Sequence, residues 1–300
     1  MASIDISGMG VALITPFCHD KSIDYPTLGA LIDYQIAEGA DYIVALGTTS
    51  ENPVLEPEER ESLSRFIVER VGGRVPIVRG CGGNSTAAVV RELTGSDLSG
   101  YCAVLSVVPY YNKPSQEGIY RHYMAVADAS PLPVVLYNVP GRTGVNMSAE
   151  TTLRLARECG NIVAVKEASG NLQQADAIMR QAPEAFQVIS GDDAMTLPML
   201  SLGAVGVISV IGNAYPGEFA RMVRLARTGD YSGARAIHRR LAPLYPLLFC
   251  DGNPAGVKCA LHEMGRCKEE LRLPLVPVSE NTRRLIAEFV SAVSGQNLAK

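Results

Sequence analysis

The sequence predicts an α/β fold, a (β/α)8 TIM barrel with a C-terminal helical appendage. Two patterns carry that expectation. Short apolar runs alternate with helical patterns at nearly constant spacing, as repeated βα units of a parallel sheet require. The runs number eight, the count that closes a barrel, and they stop after Gly229. In order they are Gly10–Phe17, Tyr42–Gly47, Pro76–Cys81, Ala103–Pro109, Pro133–Val139, Ile162–Ala168, Gln187–Asp192 and Val205–Val210.

Between the runs lie helix start and stop signals. Glu56-Pro57-Glu58-Glu59 places proline and acids in a first turn, and Gly72-Gly73 ends that helix. Ser115 with Gly118 precedes YRHYMAVADA, Ser148-Ala149-Glu150 precedes TTLRLARECG, and 213–229 carries FARMVRLAR at helical period. Past Gly229, Tyr231–Phe249, Pro254–Met264 and Ser279–Ser294 read as three further helices, separated by Asp251-Gly252-Asn253-Pro254 and by the extended RLPLVPV. Residues 1–230 are therefore expected to form the barrel that carries the active site, and 231–300 a three-helix segment. A doubly wound sheet is the competing architecture. It would leave two open edges, and no GxGxxG follows the first run.

Composition narrows the function. The 300 residues are 47% hydrophobic and 19% charged, enough for an extensive core. A net charge of -4 without a lysine or arginine run offers no footprint for nucleic acid or an anionic membrane. Seven scattered cysteines without a CxxC pair point to reduced thiols, hence a cytoplasmic location. MASIDISGMG lacks a basic region followed by an apolar one, and no stretch nears the roughly 18 apolar residues that span a bilayer. Four histidines, none spaced at i, i+4, suggest no metal cluster. A small-molecule substrate is the expected partner.

In such barrels chemistry is built where the strands end at their C-terminal side. The sixth run, IVAVKEASGN, ends on Lys166. A lysine left without a partner among apolar residues loses hydration of its ammonium, which favours the neutral amine, a nucleophile for a carbonyl carbon. The plainer alternative is that Lys166-Glu167 is a solvated surface pair. Other strand ends offer Thr48-Thr49, Tyr110-Tyr111, Tyr137, Arg142 and Gly191. Singly, these suit a turn pair, a barrel-filling aromatic or a loop cation. Together, an amine, several hydroxyls and one cation are what a keto acid requires. The loop Gly80-Cys81-Gly82-Gly83-Asn84 lacks the Gly-Lys-Ser/Thr of a phosphate loop and reads as a close-packed turn.

GTTSEN at 47–52, PYYNKPSQEG at 109–118, YNVPGRTG at 137–144, VKEASGN at 165–171, SGDDA at 190–194, GVISV at 206–210 and NPAGVK at 253–258 occur in order and spacing. From about Gly8 to Leu275 the chain resembles the dihydrodipicolinate synthase family, also called 4-hydroxy-tetrahydrodipicolinate synthases, within the pyruvate-dependent Schiff-base lyases. The resemblance implies an imine between Lys166 and pyruvate. It also implies a proton relay of Tyr137, Thr49 and Tyr111, the last reaching across from a neighbouring subunit. Thr48 and Thr49 would hold the pyruvate carboxylate, and Arg142 that of L-aspartate 4-semialdehyde. Carbonyls near Gly191 and Ile208 would complete the pocket. No metal or organic cofactor is implied, and a homotetramer built as a pair of tight dimers is. N-acetylneuraminate lyase and the keto-deoxy sugar acid aldolases share fold and lysine but lack the arginine of this motif. A sister aldolase activity, or a keto-acid sensor without catalysis, stays open here. Asn84 and Tyr110 match a regulatory site that binds lysine. Ala88 stands where inhibited members carry glutamate, and Pro57 and Arg60 where some carry histidines, so weak or absent inhibition by lysine is expected.

Overall fold

The computed structural model describes residues 4–297. Residues 1–3 and 298–300, the ends of the two expected segments, lie outside the described residues. The barrel runs β1 (Gly8–Ala12), α1 (Tyr25–Ala37), β2 (Tyr42–Ala45), α2 (Pro57–Val71), β3 (Ile77–Gly80), α3 (Thr86–Gly95), β4 (Ala103–Val107) and α4 (Gln116–Ala129). It continues through β5 (Val134–Asn138), α5 (Pro140–Thr143), α6 (Ala149–Glu158), β6 (Ile162–Glu167), α7 (Leu172–Gln181), β7 (Gln187–Ser190), α8 (Thr196–Leu202), β8 (Gly206–Ser209) and α9 (Pro216–Arg227). All eight strands pair in parallel with their sequence neighbours, and β8 pairs with β1, closing the ring. Closure leaves no open edge, which excludes the doubly wound alternative.

Each run predicted from sequence contains a strand or overlaps one, but the paired segment stops earlier. The first is displaced most: β1 spans Gly8–Ala12 rather than Gly10–Phe17. The cause is a side chain that takes over the ladder. Asn213, fully buried, donates from Nδ2 to the Ala12 carbonyl at 2.8 Å and accepts the Ile14 N–H at 3.2 Å. Beyond it, Pro16 has no N–H to offer. Helix starts follow the capping signals. The Glu56 N–H donates to the Glu59 side chain, and the hydroxyls of Ser115 and Ser148 accept from Gly118 and Thr151.

Two shells of apolar side chains result, one inside the ring and one between ring and helices. β6 illustrates the alternation: Ala164 joins the inner cluster with Tyr42, Val135, Tyr137, Ile189 and Ile208, whereas Val165 packs outward with Val126 and Ile178. The glycine-rich loop is close-packed, as read from sequence. A Cβ on Gly80 would lie 2.2 Å from the Leu46 carbonyl oxygen, and one on Gly82 2.7 Å from the Val107 nitrogen.

The appendage departs from three helices. Tyr231–Phe249 divides into α10 (Tyr231–Leu241) and α11 (Leu244–Leu247), because Pro243 and Pro246 withhold the N–H groups a continuous helix would need. Then come α12 (Ala255–Glu263) and α13 (Glu280–Asn297). Helix α12 is buried throughout Ala255–Leu261 and returns the chain to the barrel mouth. No helix among the described residues is long and apolar enough to cross a membrane.

Candidate active site

A cavity of about 850 Å³ opens at the C-terminal ends of the strands. Lys166 lies in its wall, 6% exposed, at the end of β6. Its register partner on β5 is Tyr137, and the amine stands 4.2 Å from the centre of that ring. No carboxylate among the described residues lies within ion-pair distance of it. Glu167, the neighbour that could have formed a surface pair, faces the other side of the sheet. There it accepts from Asn138 at 3.0 Å, Gln174 at 3.0 Å and the Ser169 N–H at 2.7 Å. A period of two residues therefore separates the dipeptide: the amine enters the cavity and the acid is consumed by the helix layer.

Gly191, after β7, makes room for that amine. A Cβ there would lie 2.9 Å from Lys166 Cε and 2.6 Å from Ala168 Cβ. After β2, Thr48-Thr49-Ser50 form one 3-10 turn, held by Ser50 donating to the Gly47 carbonyl at 2.7 Å and by Thr15 donating to the Ser50 carbonyl at 2.8 Å. Both threonines line the cavity; Thr48 is exposed and Thr49 only 3% so. Arg142 reaches the cavity from α5, whose single turn is closed by the Arg142 N–H on the Val139 carbonyl at 2.9 Å. Its guanidinium is exposed and has no acid partner among the described residues, so it is available to a bound carboxylate.

Not every expected residue joins them. The Ile208 side chain does not line the cavity: it is 2% exposed inside the barrel, and Val210, just past the end of β8, lies in the cavity wall. Tyr110 lines the cavity, but Tyr111 is turned out by a left-handed backbone (φ 73°) and is 86% exposed. Thr49 does not bridge the two tyrosines within this chain; its hydroxyl accepts from Asn253 Nδ2 at 2.9 Å. Asn84, half-buried, accepts from Asn112 at its carbonyl (2.9 Å), and Ala88 is exposed on α3.

Several lining residues escaped the sequence reading. Asn253, Asp192, His238 and Tyr245 border the cavity, three of them from the appendage. Burial holds the His238 imidazole below its usual range and the Tyr245 phenol well above it. Asp193 accepts the Ile211 and Val210 N–H groups at 2.8 and 3.1 Å, tying the loop after β7 to the end of β8, and burial raises its carboxyl to about 6. Next to Thr49, the buried Glu51 pairs with Lys258 of α12 at 2.5 Å, while its other oxygen accepts the Arg272 N–H at 3.1 Å. Of these, Asn253 and Lys258 lie in the NPAGVK segment, Asp192 and Asp193 in SGDDA and Glu51 in GTTSEN, though no role attached to them.

A partnerless amine, a phenol against it, a hydroxyl turn and a free guanidinium can together bind a keto acid through an imine and hold a second carboxylate. Comparison with known proteins points the same way. Residues 5–293 match the model of the dihydrodipicolinate synthetase family. A 4-hydroxy-tetrahydrodipicolinate synthase of Parabacteroides distasonis is 60% identical over 294 residues, covering 98% of this chain and 99% of the relative. The structure of the synthase from Methylacidiphilum fumariolicum SolV superposes with a TM-score of 0.94 at 41% identity, covering 97% of each chain. A chloride-inhibited dihydrodipicolinate synthase from Acinetobacter baumannii, solved in complex with pyruvate, gives 0.93 at 39% identity, covering 97% of this chain and 99% of that one.

Proposed function

Since the chain belongs to the dihydrodipicolinate synthetase family, we propose that its barrel mouth condenses pyruvate with L-aspartate 4-semialdehyde, giving 4-hydroxy-tetrahydrodipicolinate for the diaminopimelate route of lysine biosynthesis. The observation that carries this reading is the Lys166 amine, buried beside Tyr137 without an acid and sharing its cavity with the unpaired guanidinium of Arg142.

Lys166 attacks the ketone carbon of pyruvate, water leaves, and a protonated imine forms. That imine is the electron sink: the methyl group loses a proton and becomes the nucleophilic carbon of an enamine. The amides and hydroxyls of Thr48 and Thr49 take the pyruvate carboxylate, whose charge the apolar barrel would otherwise penalise. Tyr137 carries protons to and from the reacting atoms, with Thr49 and a neighbouring subunit's Tyr111 as its relay. Arg142 receives the second substrate's carboxylate in a forked geometry that lysine cannot copy. The enamine carbon bonds to the aldehyde carbon, the adduct's own amine displaces Lys166, and the ring closes with the lysine restored. The chain's residues supply this chemistry without a metal or organic cofactor.

The working assembly is a homotetramer of paired dimers in the cytoplasm, a reading supported by the outward Tyr111 and the free cysteines. Turnover with aspartate semialdehyde, set against a panel of sugar-derived keto acids, tests the assignment. Arg142→Ala should lower kcat/KM for the semialdehyde roughly 10- to 100-fold, the worth of one charge-assisted pair. Preferred cleavage of a sugar acid, untouched by that substitution, would assign the chain to a sister aldolase.

A further inference from the structure

Asn253 lies between α11 and α12, 204 residues from Thr49, and is 5% exposed in the cavity wall. Its Nδ2 donates to Thr49 Oγ1 at 2.9 Å. A threonine hydroxyl has one hydrogen and two lone pairs. With Asn253 occupying the oxygen as donor, the hydroxyl hydrogen has to be offered elsewhere, and among the described residues no protein group accepts it. Asn253 Oδ1 is buried without a partner. Asn253 Nδ2 makes no other hydrogen bond among the described residues, so the bond to Thr49 is the one side-chain contact that fixes this amide.

The segment that holds Asn253 is itself fixed. Five residues on, Lys258 pairs with Glu51 and donates to the Glu270 carbonyl at 2.8 Å, and Glu51 follows Thr49 by two residues. The appendage thus grips the Thr48-Thr49-Ser50 turn at two points, by a buried charge pair and by the Asn253 amide.

We propose that Asn253 is a positioning residue that sets the direction of the Thr49 hydroxyl: by donating to it, Asn253 makes Thr49 a donor into the cavity. The inference rests on the reading above, in which that hydrogen meets the Tyr137 oxygen or the pyruvate carboxylate. The role belongs to the appendage, so the barrel alone does not complete the site.

Asn253→Asp tests it, because a carboxylate of the same shape can only accept, which turns the Thr49 hydrogen away from the cavity. At pH 8 the variant should lose about 100-fold in kcat, more than Asn253→Ala, with KM for the semialdehyde within threefold of wild type. Activity should return as pH falls, since a protonated carboxyl regains a hydrogen to donate. In a Thr49→Val background, either Asn253 substitution should cost less than twofold more. Equal kcat for wild type and Asn253→Asp across the pH range overturns the proposal, as does an undiminished loss in the Thr49→Val background. If Asn253→Asp fails to fold, the cycle with Asn253→Ala decides. Borohydride trapping of pyruvate on the wild-type chain separates the two failures. No adduct on Lys166 sinks the proposed function and this inference with it; an adduct together with indifferent Asn253 variants sinks this inference alone.

Discussion

Two lysines among the described residues are buried, and their surroundings differ in one respect. Lys258 has a carboxylate at 2.5 Å and a carbonyl at 2.8 Å; burial pushes its pKa down while Glu51 pulls it back. Lys166 has the face of Tyr137 and a cavity. The first is a structural cation; the second is the reagent in the proposed reaction. Removing Lys258 strands Glu51 as an uncompensated buried charge, so Lys258→Met should cost about 3–5 kcal/mol in urea unfolding. Lys166→Met strands nothing and should stay within about 1 kcal/mol of wild type while abolishing turnover. Equal destabilisation by the two substitutions would contradict the distinction. At this scale the sequence could offer Lys166 but not exclude a Lys166–Glu167 surface pair. Strand alternation decides it, and alternation is visible only once β6 has a known inside.

At the scale of elements, the order of strands and helices was legible because apolar period and capping residues agree with one another. Strand ends were not. Leu46, Val139 and Val210 extend their runs past the last paired residue, yet in the fold they line the cavity instead of pairing. Apolar composition marks burial without saying whether a ladder or a cavity receives it. The same ambiguity merged α10 with α11, where helical periodicity outweighed two prolines. Asn253 went without a role because its contact lies 204 residues away, beyond the reach of any local pattern.

For the whole molecule, the single chain builds a closed barrel with the candidate site at its mouth but turns Tyr111 outward, so the proposed relay would draw that tyrosine from a neighbour. Neither Tyr111→Phe nor Lys166→Ala chains should turn over alone. Co-assembled, they should recover up to about a quarter of wild-type activity, because mixed dimers hold one intact site; no recovery would mean that each site is built within one chain. Regulation belongs to this scale as well. Ala88, exposed on α3, offers an ammonium no carboxylate, so initial rates should stay flat across a lysine titration, whereas inhibition below about 1 mM would show another partner for that charge. Everything turns on the Lys166 amine meeting pyruvate, and borohydride reduction with pyruvate followed by peptide mass mapping reads that encounter directly. The expected result is one reduced pyruvate adduct on the peptide containing Lys166, absent from Lys166→Met; an adduct on another residue, or none, would contradict the account.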